Sequence, residues 1–303
     1  MSWSKDKSLL GIVLIGIASA LWGLDGVVLT PRLNNVNVVF VVFILHALPF
    51  VFMNIFLYRR YSELKKLDTT AIYSLIAVSI FGGVLGTVAI VKALFLVNFQ
   101  QLSVVVLLQK FQPVFAIILA AIFLKEKLSK NFLMWGTIAI IAGYFLTFGF
   151  KTPNIEADKS TIHAALLSLI AAFSFGSSTV FSKNILAKVD YITATFFRYG
   201  TAFLLLLPYV IFSGLIMEFS ALTYENWIII LIISLTTGSG AILMYYYGLK
   251  YIKASVSTLV ELFFPISAIF FDYFINHNVL SPIQWISAAV MIFAIIKANI
   301  VKK

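Results

Sequence analysis

Stretches of 18 or more residues dominated by Leu, Ile, Val, Phe and Ala recur along the whole of this 303-residue chain. Each is long enough to cross a hydrocarbon layer of about 30 Å as a helix. Inside lipid every backbone N–H and C=O must be paired within the spanning structure, so helices are favoured over open sheets. Composition agrees: 61% of residues are hydrophobic and 11% charged, too few charges for a water-exposed surface of this size. The chain therefore reads as an all-α polytopic membrane protein. It has no cysteine, which excludes disulfides, thiol nucleophiles and thiolate metal sites without fixing a compartment.

Reading the apolar runs against polar punctuation gives ten spans. They cover about 8–30, 36–58, 71–97, 100–124, 131–150, 161–184, 191–215, 224–249, 254–275 and 281–300. The connection at Val97–Gln101 is short enough to predict a tight hairpin. Lys5 and Lys7 before an apolar run ending in Ala18-Ser19-Ala20 imitate a cleavable signal. The run continues to Leu29, however, which reads as an uncleaved first span. The net charge of +10 follows these spans. Sixteen Lys and Arg fall at one set of span ends, among them Arg59, Arg60, Lys65, Lys66, Lys125, Lys127, Lys130, Lys183 and Lys188; Arg32, Lys151 and Lys159 fall at the other. The positive-inside rule then places both termini in the cytoplasm and the protein in the cytoplasmic membrane. Charge distributed this way orients helices and does not point to nucleic acid.

The sequence also repeats. "SVVVLLQKFQP" (103–113) aligns without gaps on "SVSTLVELFFP" (255–265), with five of eleven positions identical. "LSKNFLMW" is echoed by "LSPIQW", and "IASALWGLDGVVL" more weakly by "IAAFSFGSSTVFS". The expected organisation is two five-helix repeats, 1–155 and 156–303. An odd span count inverts the second repeat in the membrane, a recurring transporter design.

Ten spans, proline-bearing fourth and ninth helices, "FLKEKLS…WGTIAIIAGYFL" (123–146) and "YGLKYIKASVSTLVELFFP" (247–265) resemble the EamA branch of the drug/metabolite transporter superfamily. The resemblance covers essentially the whole chain and implies a metabolite carrier with a central cavity lined by spans 1, 3, 4, 6, 8 and 9. Two departures stand out. "INHNVLS" replaces the acidic-basic turn in the second half, so Glu126 has no duplicate, and "KALFLVNFQQLS" carries extra residues before the fourth span.

Six charges remain inside spans: Lys92, Lys110, Arg198, Asp25, Glu261 and Asp272. Such residues either mark transport sites or pair to hold helices together. Asp25 and Lys92 sit near outer span ends, consistent with a solvated rim, an outer ion pair or a site role. Arg198 lies two turns from an inner end, close enough to reach headgroups. Lys110 and Glu261 are deeper and differ in depth by about 5 Å. Glu261 is either a polar contact of a central site or the partner of Lys110, and Gln109 occupies its repeat-equivalent position. A desolvated carboxylate there would hold a substrate amine or take up a coupling proton. Pro113 and Pro265 leave the carbonyls of Gln109 and Glu261 without their helical donors. Trp22, Tyr245 and Tyr246 either stack on a substrate or simply pack. His46 reads as a packing residue, and Gly82, Gly83 and Gly86 as sites of close helix approach.

No G-x-x-x-x-G-K-[ST] sequence occurs, so nothing suggests nucleotide hydrolysis. "FGSS" (175–178) is an incomplete nucleophile motif. No catalytic residue, cofactor or metal site is expected. The reading is a secondary carrier in the lipid bilayer for a small polar molecule, an amino acid or similar zwitterion, with an organic cation as the alternative.

Overall fold

A computed structural model describes residues 5–97, 105, 108–151, 159–277, 279 and 281–300. The expected hairpin beyond Val97, and Ser103, Val104 and Leu107 of the repeat, lie outside the described residues. Among the described residues all regular structure is helical. Eight helical segments are long and apolar enough to cross a membrane: Asp6–Leu33, Val38–Lys66, Thr69–Leu96, Lys130–Phe148, Lys159–Leu186, Tyr191–Phe212, Tyr224–Tyr251 and Ala254–Ile275. The protein is a multi-pass membrane protein. The expected fourth and tenth spans contain shorter apolar helices, Gln112–Phe123 and Pro282–Ala298.

The helices are α1 (Lys5–Leu24), α2 (Val38–Leu57), α3 (Thr69–Val78), α4 (Gly86–Leu96), α5 (Gln112–Phe123), α6 (Lys130–Phe148) and α7 (Lys159–Leu186). The remainder are α8 (Tyr191–Phe212), α9 (Tyr224–Ile233), α10 (Ser239–Tyr251), α11 (Ala254–Val260), α12 (Phe263–Asn276) and α13 (Pro282–Ile300). Polar punctuation starts them where it should. The side chains of Asn37, Asp68, Ser129, Asp190 and Thr223 each accept backbone N–H groups that a helix leaves unpaired in its first turn. Gly149, with φ of +59°, stops α6.

Three long helices loosen into π turns at Asp25–Leu29, Ser79–Leu85 and Ser234–Gly238. The first extends α1, the second joins α3 to α4, and the third joins α9 to α10. Such turns frequently accompany functional sites. The packing is reciprocal. α1 lies against α10 and α12, while α7 lies against α4 and α5; α2 pairs with α8, and α6 with α13.

At one end of the bundle, the segments carrying the basic residues knit together. Arg60 pairs with Asp190, and Lys188 with Asp68 at 2.8 Å. At the other end Asn35 and Asn226 exchange side-chain hydrogen bonds of 3.2 and 3.1 Å.

Candidate functional site

The central helix of the second half breaks at Glu261. α11 ends at Val260, α12 begins at Phe263, and Pro265 prevents a continuous ladder between them. The carbonyl of Glu261, expected to be left open by Pro265, instead accepts the Phe264 N–H at 2.9 Å. The tight turn that breaks the helix thus supplies its own donor.

The Glu261 carboxylate is held by three side chains from three helices. Tyr245 Oη of α10 donates to Oε1 at 2.8 Å, Ser257 Oγ of α11 donates to Oε1 at 3.2 Å, and Gln112 Nε2 of α5 donates to Oε2 at 2.7 Å. With its proton directed to the carboxylate, the Tyr245 oxygen accepts from Thr179 Oγ1 of α7 at 2.8 Å. The Tyr245 ring also meets Trp22 of α1, centroids 5.4 Å apart and tilted 56°. Five helices from both halves therefore converge on one carboxylate. Among the described residues no cation lies within 4 Å of it. Neutral donors alone leave the charge free to meet a ligand.

Several residues named from the sequence sit elsewhere. Lys110 is buried, but it does not pair with Glu261. It lies along α6, where a Cβ at Gly143 would be 3.7 Å from its Nζ. Together with Phe111, Ile140, Ile141 and Tyr144 it lines a crevice of about 360 Å³. The depth match with Glu261 was real in sequence, but adjacent residues on a helix point about 100° apart. Gln109 is partly buried, and no hydrogen bond joins it to the Glu261 cluster; Gln112, one turn further along the same face, takes that place. Asp25 accepts from Thr30 Oγ1 at 3.1 Å. Lys92 is exposed on α4 and forms no ion pair with Asp25.

Tyr246 belongs to a second polar cluster. Arg198 is 7% exposed and does not reach toward headgroups. Its Nη1 donates to Tyr246 Oη at 3.1 Å and Ser178 Oγ at 3.4 Å, and its Nη2 to the Gly82 carbonyl at 3.0 Å. Tyr246 Oη also bonds Ser182 Oγ at 2.8 Å. Gly82 sits in the second π turn, and a Cβ there would fall 2.1 Å from Ser178 Oγ and 2.9 Å from Arg198 Nη2. Only glycine leaves room for the guanidinium. The sequence signal for this cluster was the glycine run opposite an intramembrane arginine. His46 Nδ1 lies 2.8 Å from the Val42 carbonyl and its ring stands beside Tyr199, a packing role.

The "FGSS" stretch is mid-helix in α7. Ser177 donates to the Phe173 carbonyl, and Ser178 accepts from Arg198. Neither serine has a base beside it.

One close packing contact occurs twice. A Cβ at Gly23 of α1 would meet Ser267 Oγ at 2.0 Å, Ala268 N at 2.7 Å and Phe264 O at 3.0 Å in α12. A Cβ at Gly176 of α7 would meet Ala116 N at 2.9 Å, Gln112 O at 3.0 Å and Phe115 Cβ at 3.1 Å in α5.

The family model described as the EamA-like transporter family matches residues 9–149 and again 162–300. The chain is 51% identical over 295 residues to the riboflavin transporter ImpX of Fusobacterium nucleatum subsp. nucleatum (strain ATCC 23726 / VPI 4351), covering 97% of this chain and 99% of that one. It is 27% identical over 170 residues to the uncharacterized transporter YoaV of Bacillus subtilis (strain 168), covering 55% and 56% of the two chains. A protein of known crystal structure superposes with a TM-score of 0.70 at 14% identity over 97% of each chain, a likeness of fold alone. Taken with the apolar helices and the buried polar clusters, these matches make the chain a member of the EamA-like transporter family, a membrane transporter of small molecules and not an enzyme.

Proposed function

We propose that the protein carries riboflavin, or a closely similar flat heteroaromatic with a hydroxylated tail, across the cytoplasmic membrane by alternating access. The observation that carries this reading is the Glu261 carboxylate, held by Tyr245, Gln112 and Ser257 beside the Trp22–Tyr245 ring pair. Rings of this kind stack on a flat heterocycle, and the carboxylate accepts from N–H or O–H donors of the substrate. The name of the 51% identical relative supports flavin over the amino acid expected from the summed charge. An organic cation remains the competing reading, because Glu261 has no basic partner within 4 Å among the described residues.

The carrier mechanism rests on ten spans in two inverted repeats, divided near 1–155 and 156–303. Several features support it. The family model matches twice. In the 103–113/255–265 alignment, the residues facing Gly176 (112, 115 and 116) correspond to those facing Gly23 (264, 267 and 268). α1 and α7 pack on equivalent parts of the opposite half. Basic segments at one end favour both termini inside. Glu261 is the residue placed to take up a coupling proton.

Reconstituted protein loaded with riboflavin tests the reading. Trans riboflavin should accelerate exchange of labelled riboflavin, while amino acids and quaternary amines should leave it unchanged. Acceleration by an amine but not by riboflavin would favour the cation reading.

A further inference from the structure

The turn between α10 and α11 is gripped from two sides. α5 ends in a left-handed Lys125, φ 52°, and the Glu126 N–H reaches back to the Ala120 carbonyl at 3.2 Å. Positive φ is costly for a lysine, and here it turns the chain so that Glu126 crosses to the other half of the sequence. The Glu126 carboxylate accepts from Ala254 N at 2.8 Å, Ser255 N at 3.1 Å and Ser255 Oγ at 2.5 Å. These groups begin α11, which delivers Glu261 seven residues later, about 10 Å along the helix. From the opposite side Lys183 Nζ of α7 donates to the carbonyls of Leu249 at 2.7 Å, Lys250 at 3.1 Å and Ile252 at 2.6 Å. Lys183 thus holds the end of α10, and Glu126 the start of α11.

We propose that Glu126 is a positioning residue that latches the basic end of the carrier and sets α11, and with it Glu261, in the arrangement described. No side chain other than a carboxylate offers enough acceptors for two backbone N–H groups and a hydroxyl together. The first half therefore governs the helix that carries the second half's site. Opening the basic end to a substrate requires the turn at 249–255 to leave Glu126. The sequence has no acidic counterpart of Glu126 in the second half, so the latch acts at one end only.

The inference rests on the carrier reading, but its test uses no substrate. The chain has no cysteine, so Thr258→Cys supplies a single thiol on α11. Thr258 is fully buried and its hydroxyl has no partner among the described residues. In purified protein a maleimide should label this thiol slowly. Adding Glu126→Ala should raise the rate at least about tenfold, because each lost bond is to a charged acceptor. Glu126→Gln should give a smaller rise, and Glu126→Asp should return toward the parent rate. Thermal midpoints identify folded variants. An unchanged rate in folded Glu126→Gln or Glu126→Ala protein would overturn the latch. Absence of riboflavin exchange in the parent would overturn the substrate reading and leave the labelling result standing.

Discussion

The two central helices share a skeleton and differ in what they carry. Each breaks just ahead of a proline: the first at Lys110–Phe111 before Pro113, the second at Glu261–Leu262 before Pro265. α5 and α12, the helices beyond these breaks, each receive a glycine of the opposing half in the same way, Gly176 on α5 and Gly23 on α12. The polar groups at the breaks are unlike. Glu261 is bonded by side chains from α5, α10 and α11, whereas Lys110 turns away to α6. Backbone symmetry therefore builds a centre, and unequal side chains make it a site. Duplication supplies two half-helices, but only one presents a carboxylate to the shared interior.

That contrast can be broken by moving the charge. Glu261→Gln should lower riboflavin exchange by about 10- to 100-fold, the worth of hydrogen bonds to an ionised group. Adding Gln109→Glu puts a carboxylate at the repeat-equivalent position without the three donors, so it should not restore exchange. Restoration would mean that either half can host the site.

The shared skeleton can be tested next. Gly23→Ala and Gly176→Ala each force a methyl against backbone atoms within 3.0 Å. Each should destabilise the protein by about 1–3 kcal/mol, read as a lower unfolding midpoint in detergent. A neutral result at one glycine alone would show that the two packings are not equivalent.

The smallest effect concerns the basic end. Burial alone would raise the Asp190 carboxyl, but hydrogen bonds from the Thr193 N–H and hydroxyl, the Arg60 charge and the Ile192 N–H together hold it below the usual carboxylate range. A lowered folded-state value contributes stability above the unfolded value near 4 and loses it as pH falls further. Acidification below about pH 4 should therefore lower the unfolding midpoint more in the parent than in Asp190→Asn. Equal loss in both would remove this ion pair from the stability of that end.

Much of this was legible before any coordinates. Apolar runs gave the helices, and Asn37, Asp68, Ser129, Asp190 and Thr223 marked their starts because capping chemistry is local. Glu261 announced itself as a charge in an apolar run, and Pro265 announced the break. What depended on side-chain direction was not legible. Lys110 matched Glu261 in depth, yet its bearing on the helix sends it to α6. Gln112, three residues beyond Gln109 on the same face, was overlooked because the repeat alignment drew attention to position 109. Arg198 seemed free to reach headgroups until the space left by Gly82 was seen to receive it. The π turns have no local sequence signature, since they depend on contacts made by other helices.

The account stands most directly on what touches Glu261 when the carrier is loaded. A structure with riboflavin bound should place the ring against Trp22 and Tyr245, with a donor of the ligand within hydrogen-bonding distance of the Glu261 carboxylate. Riboflavin bound elsewhere, with Glu261 still enclosed by Tyr245, Gln112 and Ser257, would contradict it.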